Sequence, residues 1–452
     1  MILISMKSIT LQVLLAIVVV TLATMSDGTQ QVMNSVLIED VNLITMVDET
    51  PVLNQDILVV GGIIKEIGDL NSKTYDIDLL IDGTNKFLIP GLSEMHYHWR
   101  NIERPIETEI GMMVVNGVTT IRNMGEYGWQ DQIMIRDSLI RNMIYPISYL
   151  TTGPYLKAND LSSKAEIDSQ LNQHTSMGYD YLKIADDLES ELYAYLINEA
   201  EVQGLEVVGH IQRSLPLRKS LEQRSIDHVE EFIYLFSTEE RNDSVFVNNS
   251  ITEIKKSGVF INPTLAVFEM ITQFLNNKKF DSLENHQHVA YMLKDDASYW
   301  LSDENEYRVK LKPLELEGNT AEVTIDKWFD WMKKYTNQLN EAGVPLLTGS
   351  DTFGLIVPGF SIHRELELLV ESGLTPFEAL LTSTVNAARF TNRLGSEGTI
   401  EVGKKANLVM LNNNPLDDIS NTQDIVGVLV QTIWIDSTQI KKVIENVTAK
   451  EY

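Results

Sequence analysis

Hydrophobic positions divide the chain into stretches of different texture. From about residue 34 to residue 88, apolar residues come in short runs such as Val36-Leu37-Ile38, Ile57-Leu58-Val59-Val60 and Leu79-Leu80-Ile81. Turn residues separate these runs, which predicts short β-strands. The same texture returns in Ala406-Asn407-Leu408-Val409-Met410-Leu411 and from Val426 to Trp434. Between the two ends, buried strand-like runs alternate with amphipathic helical patterns, the order expected of a parallel α/β sheet. Eight strand candidates end near His98, Asn123, Thr152, Ile184, His210, His228, Thr264 and Asp351. Eight repeats over roughly 260 to 300 residues fit a (β/α)8 TIM barrel. The segment from Gln273 to Tyr335 is too long for a plain connection. Its aromatic residues Trp300, Tyr307, Trp328 and Trp331 predict a helical insertion, at about 273–335, laid over one end of the barrel.

The first residues follow another pattern. Lys7 precedes an apolar run from Ile9 to Met25, and small residues follow between Ala23 and Gly28. This predicts a signal peptide over residues 1–28 and an exported protein. The cleavage site lacks a clean Ala-x-Ala, so a membrane association through an uncleaved segment is the alternative. The 452 residues include 36 basic and 64 acidic ones, a formal charge of −28. That balance argues against nucleic acid and anionic membrane surfaces as partners. There are no cysteines, which excludes disulfides, thiolate nucleophiles and cysteine-ligated zinc. A metal would have to be held by histidine, carboxylate or a modified side chain.

Candidate ligands stand at the predicted strand ends. The run Phe87-Leu88-Ile89-Pro90-Gly91-Leu92-Ser93-Glu94-Met95-His96-Tyr97-His98 carries two histidines at i, i+2. Alternate residues of a strand share a face, so His96 and His98 are placed to hold one ion. Lys183 ends the fourth predicted strand, His210 the fifth, His228 the sixth and Asp351 the eighth. Each alone has an ordinary structural reading; together, in order at strand ends, they predict a metal centre. His286 and His288 repeat the spacing in a polar, helix-like stretch and are expected at the surface. His174 is expected to be structural. His363 opens the helix after the eighth strand, Tyr234 follows His228, and Arg100 follows His98. All three are candidates to face substrate.

The strand, Pro-Gly break and His-x-His opening resemble those of the amidohydrolase superfamily. The stretches Ser361–Pro376, Ala379–Ala388 and Gly398–Leu411 resemble its imidazolonepropionase-like and Xaa-Pro dipeptidase-like branch. The resemblance implies a barrel (residues 89–390) with a small β-sandwich domain built from residues 29–88 and 391–452. It also implies a binuclear centre of two divalent metal ions, with zinc the first choice and Mn, Co or Fe also fitting. His96, His98 and Asp351 would hold one ion, and His210 and His228 the other. A carbamate formed from carbon dioxide on Lys183, together with a hydroxide, would bridge them. Asp351 would shuttle the proton and Tyr234 would help polarise the carbonyl, while Arg100 would pair a substrate carboxylate. The implied reaction is hydrolysis of the amide bond of a small molecule, a dipeptide or an N-acyl amino acid. A mononuclear deaminase or cyclic-imide hydrolase is the alternative. It is disfavoured because Ile211-Gln212-Arg213-Ser214 follows His210 with no glutamate. A catalytically silent binding protein is the remaining reading, against which Lys183 and Asp351 both speak.

Overall fold

A computed structural model describes residues 34–142 and 145–449; the expected export signal lies outside the described residues. Strands β1 (Ser35–Leu43), β2 (Val52–Val60), β3 (Ile63–Gly68), β4 (Leu79–Asp82) and β5 (Phe87–Pro90) come first. Leu37 of β1 sits opposite Leu58 of antiparallel β2, and β1 runs parallel to β4 and β5. Val36, Ile38, Ile57, Val59 and Leu88 are buried together, which is why these short runs form a sheet with a core of its own.

The Pro-Gly break is where the chain changes sheets. The Gly91 amide donates to the Asn407 carbonyl at 2.8 Å. A Cβ at this position would fall 2.2 Å from Thr119 Oγ1, so only glycine fits. The chain then enters β6 (Leu92–Tyr97), which pairs in parallel with β7 (Val118–Asn123), itself paired with β8 (Ser148–Thr151). A second parallel group follows in β9 (Tyr181–Ile184), β10 (Glu206–Gly209), β11 (Ser225–Asp227) and β12 (Phe260–Asn262). Apart from half-buried Ser148 and Glu206, every residue of these seven strands is buried, as expected of parallel strands covered on both faces. The Asp180 amide, donating to the Thr151 carbonyl at 3.0 Å, joins the two groups.

The eighth predicted strand is not a regular one. Leu346 makes a single parallel bridge to Ile261. Past it, the Leu347 amide donates to Ile261 O at 2.8 Å. The segment also receives the Met95 amide on Thr348 O at 2.9 Å, and its Asp351 amide donates to His96 O at 2.8 Å. Pro345–Asp351 therefore lies between β12 and β6 without a ladder. Here Gly349 lies close against His96, from a remote part of the chain, and Asp351 has a left-handed φ of 48°.

Helices cover the parallel strands. In α1 (Lys164–Met177), Ser163 Oγ accepts from the Glu166 amide, as its polar N-cap sequence predicts, and Gly178 ends the helix at φ 79°. Helix α2 (Leu265–Leu275) follows β12. Short helical turns then lead to a small hairpin, β13 (Glu315–Leu316) and β14 (Asn319–Thr320), and to the 22-residue α3 (Ala321–Ala342). Trp300 and Tyr307 stack on Phe274 of α2 at 5.7 and 6.0 Å between centroids, holding this connection down. After α4 (Ser361–Ser372), strands β15 (Asn407–Leu411), β16 (Ile425–Val430) and β17 (Ile433–Asp436) return to the first sheet. Val409 of β15 lies opposite Ile89 of antiparallel β5, so both ends of the chain build one eight-stranded sheet. Among the described residues no helix is long and apolar enough to cross a membrane.

Gly349 provides a test of this arrangement. A methyl group there would lie 2.6 Å from His96 Cβ and 2.6 Å from Asn262 Nδ2. Gly349→Ala is expected to cost about 1–3 kcal/mol. It should lower both the thermal midpoint and the bound metal, measured by calorimetry and elemental analysis.

Candidate metal centre

The C-terminal ends of the parallel strands bring six side chains to one place. His96 lies in β6, His98 just past it and Lys183 in β9, while His210 follows β10, His228 follows β11 and Asp351 ends the irregular segment. Asp351 Oδ1 is 3.5 Å from His98 Nε2 and 3.9 Å from His96 Nε2, and its Oδ2 is 4.0 Å from His228 Nε2. Lys183 Nζ lies 3.3 Å from His96 Nε2. The His228 ring is 4.5 Å from that of His96 and 4.9 Å from that of His210, centroid to centroid. One ligand atom each from His96, His98 and Asp351 falls within a 4.8 Å span, the spacing of a metal-binding group.

The backbone is strained where this happens. His228, Thr264 and Asp351 have φ of 76°, 50° and 48°, the left-handed region that non-glycine residues avoid. Each such residue costs on the order of 1–3 kcal/mol. Hydrogen bonds hold two of them in place: the His228 amide donates to Asn262 O at 2.8 Å, and the Asp351 amide to His96 O at 2.8 Å.

Burial then sets the charges. Desolvation, aided by the nearby Lys183 ammonium, lowers the His96 pKa to about 4. Burial likewise holds His98 and His228 well below the usual histidine range. These rings are neutral and present lone pairs. Burial also lowers the Lys183 pKa to about 8. Burial opposes ionisation of Asp351, but His96 and Arg100 hold its carboxyl well below the usual carboxylate range. Neutral imidazoles, one carboxylate and a buried lysine whose hydrogen-bond partner is a histidine form a donor set that fits divalent ions.

Behind the ligands stands a buried polar layer that sequence reasoning missed. Glu231 accepts from His210 Nδ1 at 2.7 Å and takes Arg213 Nε and Nη2 at 2.8 and 2.7 Å. Thr264 Oγ1 is 2.8 Å from His228 Nδ1. Asp227 Oδ1 lies 3.6 Å from His96 Nδ1 and 2.7 Å from Arg122 Nη2, with both residues of the ion pair fully buried. Such partners fix which ring nitrogen faces the centre. A signal was present in the sequence: Arg122 is the one charged residue of the strand Val118–Asn123, and Glu231 sits beside the apolar run Phe232-Ile233-Tyr234-Leu235.

The centre opens into a cavity of about 840 Å³, lined in part by His98, Arg100, Lys183, His210, His228 and Asp351. Tyr234 also lines it, 45% exposed, with the Arg213 guanidinium 4.1 Å over its ring. Arg100 lines it too, but its Nη2 donates to Asp351 Oδ1 at 2.7 Å, so the guanidinium first serves the carboxylate. His363 does not reach this space. It is buried with its Nδ1 3.0 Å from Thr422 Oγ1, a packing contact that replaces the expected substrate contact. The surface expectation for His288 is also corrected. The residue is buried in a 3-10 turn, its Nδ1 3.1 Å from Leu355 O and its amide donating to His286 Nδ1. His174 is buried in α1 with its Nδ1 2.7 Å from Gln170 O.

The chain is similar to known proteins over most of its length. The description of the amidohydrolase family matches residues 87–434, from the last strand before the Pro-Gly break to β17. The chain belongs to the amidohydrolase family. It is therefore a member of a metal-dependent family of hydrolases that act on carbon–nitrogen bonds. Imidazolonepropionase from Geobacillus kaustophilus is 37% identical over 76 residues, 17% of this chain and 18% of that protein. Ochratoxinase from Aspergillus niger is 34% identical over 95 residues, 21% of this chain and 19% of the relative. The matched stretches thus span less than a fifth of either relative's own length. The ochratoxinase crystal structure superposes with a TM-score of 0.64 at 16% identity, covering 90% of this chain and 97% of that one. A Xaa-Pro dipeptidase with methionine bound in its active site superposes at 0.65 and 16% identity, covering 89% and 100%. These likenesses to other amidohydrolases imply the barrel-plus-sandwich fold.

Glu231 yields the next prediction. Glu231→Gln weakens the anchor of His210 and should lower metal affinity about 10- to 100-fold. Competition titration with a chromogenic chelator measures this, and unchanged affinity would remove Glu231 from the support of the centre.

Proposed function

We propose that this amidohydrolase is a metal-dependent enzyme that hydrolyses the amide bond of a dipeptide or N-acyl amino acid. The observation that carries the proposal is the convergence of His96, His98, Lys183, His210, His228 and Asp351 beside one cavity. In the same reading, the parallel strands form a (β/α)8 barrel completed by Pro345–Asp351, and the apolar run near residues 9–25 directs export.

Two divalent ions held by the histidines, Asp351 and a carbamylated Lys183 would polarise the substrate carbonyl and acidify a water. The rest falls to the chain's own groups. Lys183 is prepared for carbamylation because burial favours its neutral amine, the form that attacks carbon dioxide. The new bond joins Nζ to the carbon, and a proton leaves the nitrogen. Asp351 is held ionised and is gripped on Oδ1 by Arg100. It takes the proton released as water adds to the carbonyl, and returns it to the departing amine. Tyr234, on the cavity wall, donates its hydroxyl toward the carbonyl oxygen. The deaminase reading would need a free acid after His210. Gln212 occupies that region with its amide tied to Leu188 N at 2.7 Å and Asp186 O at 3.2 Å. Both oxygens of Glu231 are taken by His210 and Arg213.

Two variants and a metal count test this reading. About two ions per chain are expected in the wild type by elemental analysis. Lys183→Ala should lose one of them with most of the activity, and added short carboxylic acids should restore part of both. Full metal content in that variant would exclude Lys183 as a ligand. Asp351→Asn should keep its circular dichroism while kcat falls on the order of 10²- to 10⁴-fold; near-normal turnover would remove the proton-shuttle role.

A further inference from the structure

The cavity has two unlike walls. One is apolar: Val267, Phe268 and Ile271 of α2, Leu311, Leu314 and Leu316 around the hairpin, and Ile325 and Trp328 of α3. Leu314 stays 43% exposed at its mouth. The other wall carries Tyr127, Tyr155 and Lys157, from the connections after β7 and β8. Along the pairing order these elements follow the second and third parallel strands, whereas Tyr234 and α2 follow the sixth and seventh. In a ring of eight the two walls face each other across the centre.

The charges on these walls are equally unlike. Lys157 Nζ rests 6.0 Å from the centre of the Tyr155 ring and makes no ion pair among the described residues. Two acids, Glu126 and Glu230, line the cavity besides Asp351, outside the apolar wall. Glu126 is engaged by Tyr179 Oη at 3.1 Å and the Gln132 amide at 2.9 Å. A dipeptide's ammonium laid along the wall of α2, the hairpin and α3 would meet no carboxylate among its lining residues. A neutral acyl group finds an apolar wall, and a carboxylate finds Lys157.

Resting on the hydrolase reading above, we infer that the preferred substrate is an N-acyl amino acid with a long aliphatic acyl chain. The chain lies along the wall of Phe268, Leu311, Leu316, Ile325 and Trp328, and the carboxylate lies toward Lys157. The oxygen of water joins the acyl carbon, the C–N bond breaks, and the amine leaves carrying a proton. The products are a fatty acid and a free amino acid, with no other reactant consumed.

A chain-length series tests this with metal-replete protein and the N-acetyl, N-hexanoyl and N-decanoyl forms of alanine. Burial of each methylene should raise kcat/KM about threefold to fourfold, on the order of a hundredfold from acetyl to hexanoyl. Leu316→Asp should reduce the gain per methylene to less than about twofold if burial against this wall causes it. Lys157→Ala should raise KM for the acids but not for their carboxamides. Binding of ketone analogues, with CH2 replacing the amide nitrogen, is measured in parallel by calorimetry. Turnover that is flat with chain length, or faster on alanyl dipeptides, overturns the inference and leaves the hydrolase reading standing. No turnover, with ketone binding that tightens with chain length, sinks the hydrolase reading while the two-walled binding site survives. No turnover and no chain-length effect sinks both.

Discussion

An ammonium group removed from water sets the terms for everything around it. Lys183 is 1% exposed and has a histidine nitrogen for a neighbour at 3.3 Å. Taking a charge out of water in this way costs several kcal/mol and shifts the group toward its neutral amine, with a pKa lowered to about 8. The same desolvation keeps His96, His98 and His228 neutral. What results is a dense set of lone pairs around a single ionised carboxylate. Such a set is poor at stabilising an empty protein and well suited to binding cations. The buried acids one layer back, Asp227 and Glu231, keep their charge because Arg122 and Arg213 neutralise it. The centre therefore depends on two arginines that never enter it.

The left-handed backbone at His228, Thr264 and Asp351 adds to that cost. The offset comes from the apolar packing around the strands, where α2, α3 and α4 share one cluster. The division of labour is physical. The histidines and Lys183 sit on or next to strands, where ladders and burial fix the backbone, and Asp351 is held by its amide bond to His96 O. The apolar cavity wall comes from α2 and the long connection to α3. This can vary in length and shape without disturbing the ligands.

Much of this was legible in the chain because strand-end logic depends only on period and order. Seven of the parallel strands end within two residues of the predicted positions, which brings His96, His98, Lys183, His210 and His228 together. The eighth was misread as regular since Leu346-Leu347 looks like any buried run. Its irregularity comes from the contact of Gly349 with His96, more than two hundred residues away, which no local pattern carries. His288 was assigned to the surface from polar neighbours, but its surroundings are supplied by Leu355 and Phe360 from another part of the chain. His363 was offered to substrate because it follows the eighth strand, and Thr422 claims it instead. The hairpin at Glu315–Thr320 has two-residue strands, too short for periodicity to register. Apart from the hairpin, the missing information was a partner distant in sequence.

The first sheet draws its strands from both ends of the polypeptide. Lys86 Nζ reaches Asn412 Oδ1 at 2.7 Å across a sequence separation of 326, and β5 lies beside β15. On the ribosome, β1 to β5 emerge long before their counterparts exist. Until then β5 has one bare side of unpaired amides and carbonyls, open to any other extended segment. The contact closes only after β15 has been made, which makes it a late, slow step and couples two remote segments into one cooperative unit. A chain stopped before Asn407 would carry every residue from His96 to Asp351 and still leave that edge uncovered, so loss of solubility would precede loss of the site.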